Sequence, residues 1–586
     1  MKKTVAIGEQ DYETIRKNDY FYIDKTAFIK EWWGSGDTVT AITRPRRFGK
    51  TLNMSMLKCF FSDKYATRKE LFSGLDISRE SEMMQKQGTY PVIFLSFAGV
   101  KGTTYEQIVK EIKKQIVSLY SSYGYLYSYD GFDANEKNAL NRITEDMDEV
   151  DAAFSLNLLS MLLEKYSKKR VIILLDEYDT PLQEAYLNGF WDKLTAFIRS
   201  FFNNTFKTNP SMERALMTGI TRVSKESIFS DLNNLYAVTT TSKKYATAFG
   251  FTECEVFAAM DAQEMPPEDK SKIKLWYDGF TFGDTADIYN PWSVTMYIKD
   301  HKVGTHWANT SGNALVGHLL KRSAPKIKMY FEDLLKDEPI DTSIDEQIAF
   351  TQLDENEDAI WSLLLASGYL KVVKITEKYD TPYEPTELYT LALTNYEVKV
   401  TFGKLIREWF AQDQSFNGFV KAMLTGNVRD MNRYMNDVAL ATFSSFDTGT
   451  KSSEKEPERF YHGFVLGLLV NNANDYIIRS NRESGYGRYD VVMEPKNKTL
   501  NAVILEFKVI AKDEGESDLE ESAANALKQI EEKKYATELL TNGFREENIL
   551  KYGLAFEGKK CLIKKADINH YGKDADVTMP YGRLPN

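Results

Sequence analysis

Near the carboxyl end of the chain, Asp490, Glu506 and Lys508 break into two otherwise apolar runs, "YDVVMEP" and "NAVILEFKVI", in the pattern D-x15-E-x-K. Carboxylates are favoured protein ligands of Mg2+, and a lysine beside them can orient or help deprotonate a water and steady phosphate charge. The chemistry these residue types suit is metal-assisted phosphodiester hydrolysis. Asp490 and Glu506, with the Phe507 backbone carbonyl, are the expected ligands of Mg2+ (or Mn2+), and Lys508 is expected to act on the attacking water. The bland alternative is a buried acid–lysine pair that only fixes strand register, because buried charges are usually paired.

A second group of residues lies near the amino end. The stretch "TVTAITRPRRFGKTLNMSMLKCFF" runs from an apolar strand through a loop into Gly49-Lys50-Thr51 at the start of an amphipathic helix. Backbone N–H groups at such a helix start face phosphates, Lys50 can neutralise the β and γ oxygens of ATP, and the Thr51 hydroxyl can ligate Mg2+. The usual phosphate loop has glycine where this chain has Arg44, and Pro45 removes one donor, so an ordinary strand-to-helix turn stays open as an alternative. In "KKRVIILLDEYDTPL" an apolar strand ends in Asp176-Glu177, the pattern that puts one carboxylate near Mg2+ and the next near the attacking water. A further strand, "RALMTGI", ends at Thr218, suited to sensing the γ-phosphate, and Arg222 follows it, suited to stabilising the transferring charge. A capped loop would also explain both.

These groups need elements to hold them. If "KNKT" is a hairpin turn, reflection about residue 498 sets Asp490 opposite Glu506, and period-two alternation puts Glu506 and Lys508 on one face of their strand. That strand is apolar on both faces and is therefore expected in the centre of a sheet. The first 300 or so residues alternate short β-rich runs with helical stretches, the rhythm of a parallel α/β sheet. Residues 305–455 read as mostly helical, and "DTGTKSSEKEPE" has linker composition. The expected domains are 1–304, 305–455 and 456–586.

The bulk numbers agree with several globular domains. At 586 residues the chain exceeds a single core, and 43% hydrophobic content is far from that of a disordered chain. A formal net charge of −11 argues against non-specific attraction to nucleic acid, so such binding has to be local. The carboxyl-terminal lysines Lys559, Lys560, Lys564 and Lys565 are one candidate, although a solvated strand or turn explains them as well. The first residues lack the apolar run of a secretory signal, no long apolar run suggests a membrane span, and Cys59, Cys254 and Cys561 lack disulfide or zinc spacing. The expectation is a cytoplasmic protein.

Seven stretches carry a resemblance: "IRKNDYFYIDKTAFIKEWW", "ITRPRRFGKTL", "LLDEYDTPL", "TGITRVSKESIFSDLNNL", "FGFTECEV", "WYDGFTFG" and "YNPWSV". In this order they resemble the motifs of a bacterial AAA-ATPase-like family commonly fused to a PD-(D/E)XK nuclease-like domain. The resemblance implies an α/β multidomain protein: a P-loop AAA-like parallel sheet with helices, a mostly helical middle region, and a carboxyl-terminal α/β restriction-endonuclease-like domain. It implies an ATP site of Arg46, Arg47, Phe48, Gly49, Lys50 and Thr51 with Asp176, Thr218 and Arg222, and a catalytic Glu177. "ALKQIEEKKY" resembles the helix after the metal-binding strand, which makes Gln529 a supporting catalytic residue and, on the preceding helix, Glu458 a further acid. The implied function is ATP-controlled cleavage of nucleic acid, with DNA favoured, by a chain that can form a homo-oligomer. The alternative is a nucleotide-dependent switch whose nuclease-like domain binds nucleic acid or a partner without cutting.

Overall fold

The structure is a computed structural model that describes residues 2–221, 229, 232–307, 330–331, 333–335, 337–346, 359–381, 384–411, 414–442, 465, 469, 476–484, 487–510, 518–557 and 560–566. Arg222, Glu458 and Lys559 lie outside the described residues. By internal contacts the chain forms two compact units: Met1–Ser323 with Tyr330–Leu405, and Ala324–Met329 with Ile406–Asn586. Compactness thus draws its line near residue 405, whereas the sequence suggests boundaries near 304 and 455.

The first unit is organised by five parallel strands: β1 (Val39–Thr43), β2 (Val92–Ser96), β3 (Val171–Asp176), β4 (Met212–Gly219) and β5 (Leu235–Val238), in the order β2-β3-β4-β1-β5. Every residue of β1 and β3 is buried, as expected when helices cover both faces of a parallel sheet. The order matters for chemistry. β4 lies between β1, which feeds the phosphate loop, and β3, which ends at Asp176, so the ends of all three strands fall side by side. The helix Lys50–Phe61 follows β1 and sinks Met54, Leu57, Phe60 and Phe61 into a core with Tyr12, Phe28 and Trp32.

Among the described residues the first unit also holds two small sheets. The strands β6 (Phe251–Thr252), β7 (Phe280–Phe282) and β8 (Thr285–Tyr289) pair in the order β6-β8-β7. The strands β9 (Ile340–Thr342), β10 (Leu370–Thr381) and β11 (Glu384–Leu393) pair antiparallel in the order β10-β11-β9. The middle region is mostly helical, with helices Ala359–Ala366, Tyr396–Ala411, Gln414–Leu424 and Val428–Thr442, and the β9–β11 sheet is an addition that the sequence did not suggest. "DAIWSLLLASGYL" shows why: helix ends before Gly368, which holds φ +85°, and the chain enters β10 two residues later.

In the second unit β12 (Tyr476–Ser484), β13 (Gly487–Pro495), β14 (Ala502–Val509), β15 (Ile549–Glu557) and β16 (Lys560–Lys565) lie in chain order. Pairing is antiparallel except between β14 and β15, which are parallel and are joined through the helix Leu519–Glu532. That helix lies hard against the sheet: a Cβ at Gly553 on β15 would sit 2.3 Å from the Ala523 carbonyl oxygen. β14 is the middle strand of five.

Candidate functional site

The phosphate loop is shaped by two residues with positive φ, Arg47 at 64° and Gly49 at 77°, and Gly49 caps the helix Lys50–Phe61. Arg44, the residue that replaces glycine, is fully buried. Its guanidinium donates to the Thr43 carbonyl at 2.9 Å and the Thr239 carbonyl at 2.7 Å and lies 4.4 Å from the centre of the Phe282 ring. Arg44 therefore ties β1, the residue after β5, and β7 together, and burial pulls its pKa down to about 9, against the pull of Glu346. The side chain that breaks the general pattern braces the loop from behind.

At the ends of the three strands the expected groups converge. Asp176 is fully buried and accepts from the Thr51 hydroxyl at 2.8 Å and the Thr218 hydroxyl at 2.6 Å, so both carboxylate oxygens are oriented. Lys50 is 5% exposed and its ammonium donates to the Arg44 and Pro45 carbonyls at 2.9 and 2.8 Å. Burial pushes its pKa down, opposed by Glu177, Asp179 and Asp176. Glu177 holds φ +50°, and burial raises its pKa while Lys50 pulls it back. Phe48 is buried against Phe280 and Phe282, so it supports the loop by packing.

A cavity of about 390 Å³ opens over this loop and is lined by Arg46 to Asn53, Asp176 and Glu177. Its volume is in the range of small-molecule sites. Lys25, Lys101 and Trp292 also line it, and sequence reasoning missed all three as site residues. Lys25 and Trp292 fall within the "YIDKTAF" and "YNPWSV" stretches, which was the available signal; Lys101 carries none.

In the second unit β13 and β14 pair with Val491 opposite Leu505, Val492 opposite Ile504 and Met493 opposite Val503. One step further along that register Asp490 faces Glu506. The Asp490 carboxylate accepts from the Phe507 backbone N–H at 2.8 Å. Glu506 is 2% exposed and accepts a hydrogen bond from the Gln529 side chain. The Gln529 amide also donates to the Tyr535 hydroxyl at 3.1 Å, and the Tyr535 pKa is raised by burial first, with Glu506 and Asp490 adding to it. Tyr535, six residues beyond Gln529, is a member of the site that the sequence did not disclose. Lys508 is half-buried, two residues beyond Glu506 on the same strand.

Among the described residues no three or more His, Cys, Asp or Glu side chains are grouped so that they could hold a metal ion by themselves. Two carboxylates are nonetheless hard oxygen donors of the kind Mg2+ accepts, since that ion usually keeps waters and takes only one or two carboxylates. The donor set fits the ion.

Residues 6–229 match the family model described as predicted AAA-ATPase, and residues 456–566 match the model described as PD-(D/E)XK nuclease superfamily. The chain joins an AAA-ATPase-like domain to a PD-(D/E)XK nuclease superfamily domain. The phosphate loop, Asp176 and Thr218 fall inside the ATPase-like match, and Asp490, Glu506, Lys508 and Gln529 fall inside the nuclease superfamily match. A protein of Azotobacter chroococcum mcd 1, described as an uncharacterized protein in vnfD 5'region, is 24% identical over 558 residues, covering 92% of this chain and 95% of that one. The alignment spans both the ATPase-like and the nuclease superfamily regions. Among solved structures, the Aeropyrum pernix ORC2 protein in ADPNP-ADP complexes is similar at 9% identity and a TM-score of 0.21, covering 67% of this chain and 93% of that chain, a likeness too slight to add to the fold. Among the described residues no helix is long and apolar enough to cross a membrane.

Proposed function

We propose that this protein is an ATP-binding, metal-dependent nuclease that cleaves phosphodiester bonds, with DNA the favoured substrate, under control of ATP binding or hydrolysis. The observation that carries the proposal is the pairing at the centre of β14: Asp490 held by the Phe507 N–H at 2.8 Å, facing a buried Glu506 held by Gln529. Two acids meeting at a central strand cost several kcal/mol unless something compensates their charge, and a divalent cation does so. When bound there, Mg2+ or Mn2+ would supply Lewis-acid polarisation of the phosphate and a more acidic water. Asp490, Glu506 and the Phe507 carbonyl would hold it. Lys508 would orient the attacking water and neutralise charge on the phosphate, and Gln529 and Tyr535 would keep the Glu506 carboxylate in place.

In the amino-terminal cavity Lys50 would exchange its two loop carbonyls for polyphosphate oxygens. Thr51 and Asp176 would hold the accompanying Mg2+, Glu177 would orient the hydrolytic water, and Thr218 would fix Asp176. Arg46 would meet phosphate, and Arg222 would stabilise transferring charge. Assembly into a homo-oligomer and a cytoplasmic setting belong to the same proposal.

The test is cleavage of single- and double-stranded DNA and of RNA with Mg2+ or Mn2+, with and without ATP, by the full chain and by its Glu506→Ala and Lys50→Ala variants. Cleavage abolished by Glu506→Ala and altered by Lys50→Ala supports the proposal. ATP binding without cleavage of any substrate would instead support a nucleotide-dependent switch, a reading that the net charge of −11 favours.

A further inference from the structure

The three arch residues of the phosphate loop, Arg46, Arg47 and Phe48, are each held by a side chain from beyond residue 229, where the ATPase-like family match ends. The Trp307 indole N–H donates to the Arg46 backbone carbonyl at 2.9 Å. The Arg47 guanidinium lies 4.3 Å from the centre of the Trp292 ring. Phe48 packs edge-on against Phe280 with centroids 4.7 Å apart.

These holders share one anchor. Glu397, 1% exposed in the first turn of the helix Tyr396–Ala411, accepts from the Trp307 backbone N–H at 2.6 Å with one oxygen and from the Ser293 hydroxyl at 2.7 Å with the other. Ser293 adjoins Trp292, and Trp307 packs on Phe280 at 5.8 Å and on Tyr369 at 5.4 Å. Tyr369 in turn packs on Phe402, one turn and a half along the Glu397 helix, at 5.7 Å. A buried carboxylate is an expensive way to join two strands of chain, and charge-assisted bonds of this kind fix geometry where an apolar contact would slide.

We propose that Glu397 and Trp307 are positioning residues of the nucleotide site: Glu397 fixes Trp307 and Ser293, and through them the loop carbonyl of Arg46 and the side chain of Arg47. The site is then completed by a helix more than 300 residues downstream of the loop it serves. This rests on the reading that the loop binds a nucleoside triphosphate. Trp307 does not touch the phosphates; it sets the loop so that its N–H groups and Lys50 point into the cavity.

The experiment is a titration of the full chain with a fluorescent ATP analogue and Mg2+, at a temperature well below unfolding, for the wild type and the Lys50→Ala, Trp307→Phe and Glu397→Gln variants. Trp307→Phe keeps an aromatic ring against Phe280 and Tyr369 while removing the indole donor and part of the ring volume. Expected is a dissociation constant about three- to tenfold weaker for Trp307→Phe, the size of one neutral hydrogen bond, beside a modest fall in melting temperature from the smaller ring. Glu397→Gln should weaken binding in the same direction, and the double variant should fall short of the product of the two, because part of the Glu397 effect passes through Trp307 while the rest passes through Ser293. Wild-type affinity in Trp307→Phe overturns the proposal, as does a fall in melting temperature with affinity unchanged, which is what simple packing would give. If the wild type binds no nucleotide, or Lys50→Ala binds as well as the wild type, the nucleotide reading itself falls and takes the proposal with it.

Discussion

Replacing Thr218 by valine removes one hydroxyl and little else, and the structure says what that hydroxyl does. It donates to one oxygen of Asp176 at 2.6 Å, Thr51 donates to the other at 2.8 Å, and Asp176 and Thr218 are fully buried. A hydrogen bond to an ionised acceptor contributes about 1.5–3 kcal/mol, and a buried carboxylate oxygen left without it carries a cost of similar size. Part of that should appear as lower thermal stability of the first unit. The larger expected effect is on turnover: a misoriented ligand to the nucleotide-bound Mg2+ lowers metal affinity or activity about 10- to 100-fold, as loss of an outer partner of a metal ligand typically does. The assay is phosphate release at saturating ATP over a range of Mg2+ concentrations, beside nucleotide binding without Mg2+. Binding without metal should be unchanged, because Asp176 is assigned to the ion and not to the phosphates. Wild-type turnover and Mg2+ requirement in Thr218→Val would refute the assignment of Asp176.

At the proposed nuclease centre, Asp490→Ala or Lys508→Ala should lower metal-dependent cleavage by about two orders of magnitude or more, and full activity in either would remove that residue from the site. Gln529→Ala, which frees Glu506 from its support, should lower cleavage about 10- to 100-fold and raise the Mg2+ concentration required, read from metal titrations of cleavage rate. Glu177 offers a pH test: burial raises its pKa, so the folded state binds its proton more tightly than the unfolded state does, and stability falls as pH rises through the window that starts at the ordinary 4.5. Glu177→Gln should therefore melt higher than the wild type at neutral pH and lose that advantage as pH drops below this window, while hydrolysis is lost throughout. Gly553→Ala puts a Cβ 2.3 Å from the Ala523 carbonyl oxygen and should destabilise the second unit by about 1–3 kcal/mol, measurable by denaturant unfolding.

How much of this was legible in the sequence differs by site. The facing of Asp490 and Glu506 followed from strand periodicity and a short turn, both local properties, and β14 was recognisable as central because it is apolar on both faces. A parallel sheet showed in four β-rich runs for the same reason, while β5, largely part-buried, did not show. The order of its strands did not, and it is the insertion of β4 between β1 and β3 that brings Thr218 to Asp176. Arg44 looked like a defect in the phosphate loop because a sequence pattern records which residue is missing and not what its replacement reaches. Glu397 and Trp307 stayed hidden because their partners are set by tertiary packing, across 261 residues in the case of Trp307 and Arg46, and Tyr535 because only packing brings its near neighbour Gln529 to Glu506. The β9–β11 sheet was hidden by helix-like apolar runs that turn to strand after Gly368.

The mixed pairing of β14 has a consequence for the order in which the carboxyl-terminal unit assembles. β13 and β14 form an antiparallel hairpin between near neighbours, which closes on the microsecond scale, whereas β15 joins β14 in parallel only after the chain from 510 to 548 has crossed over. Asp490 and Glu506 can thus meet before Gln529 arrives to hold them. In that interval the other edge of β14, "AVILEFKV", has no partner, and it is apolar enough to recruit a strand from another chain. The lysine and glutamate to which the proposed chemistry is assigned are also the charges along this strand that discourage such pairing, so removing both should make the newly synthesised protein aggregate more readily than removing either.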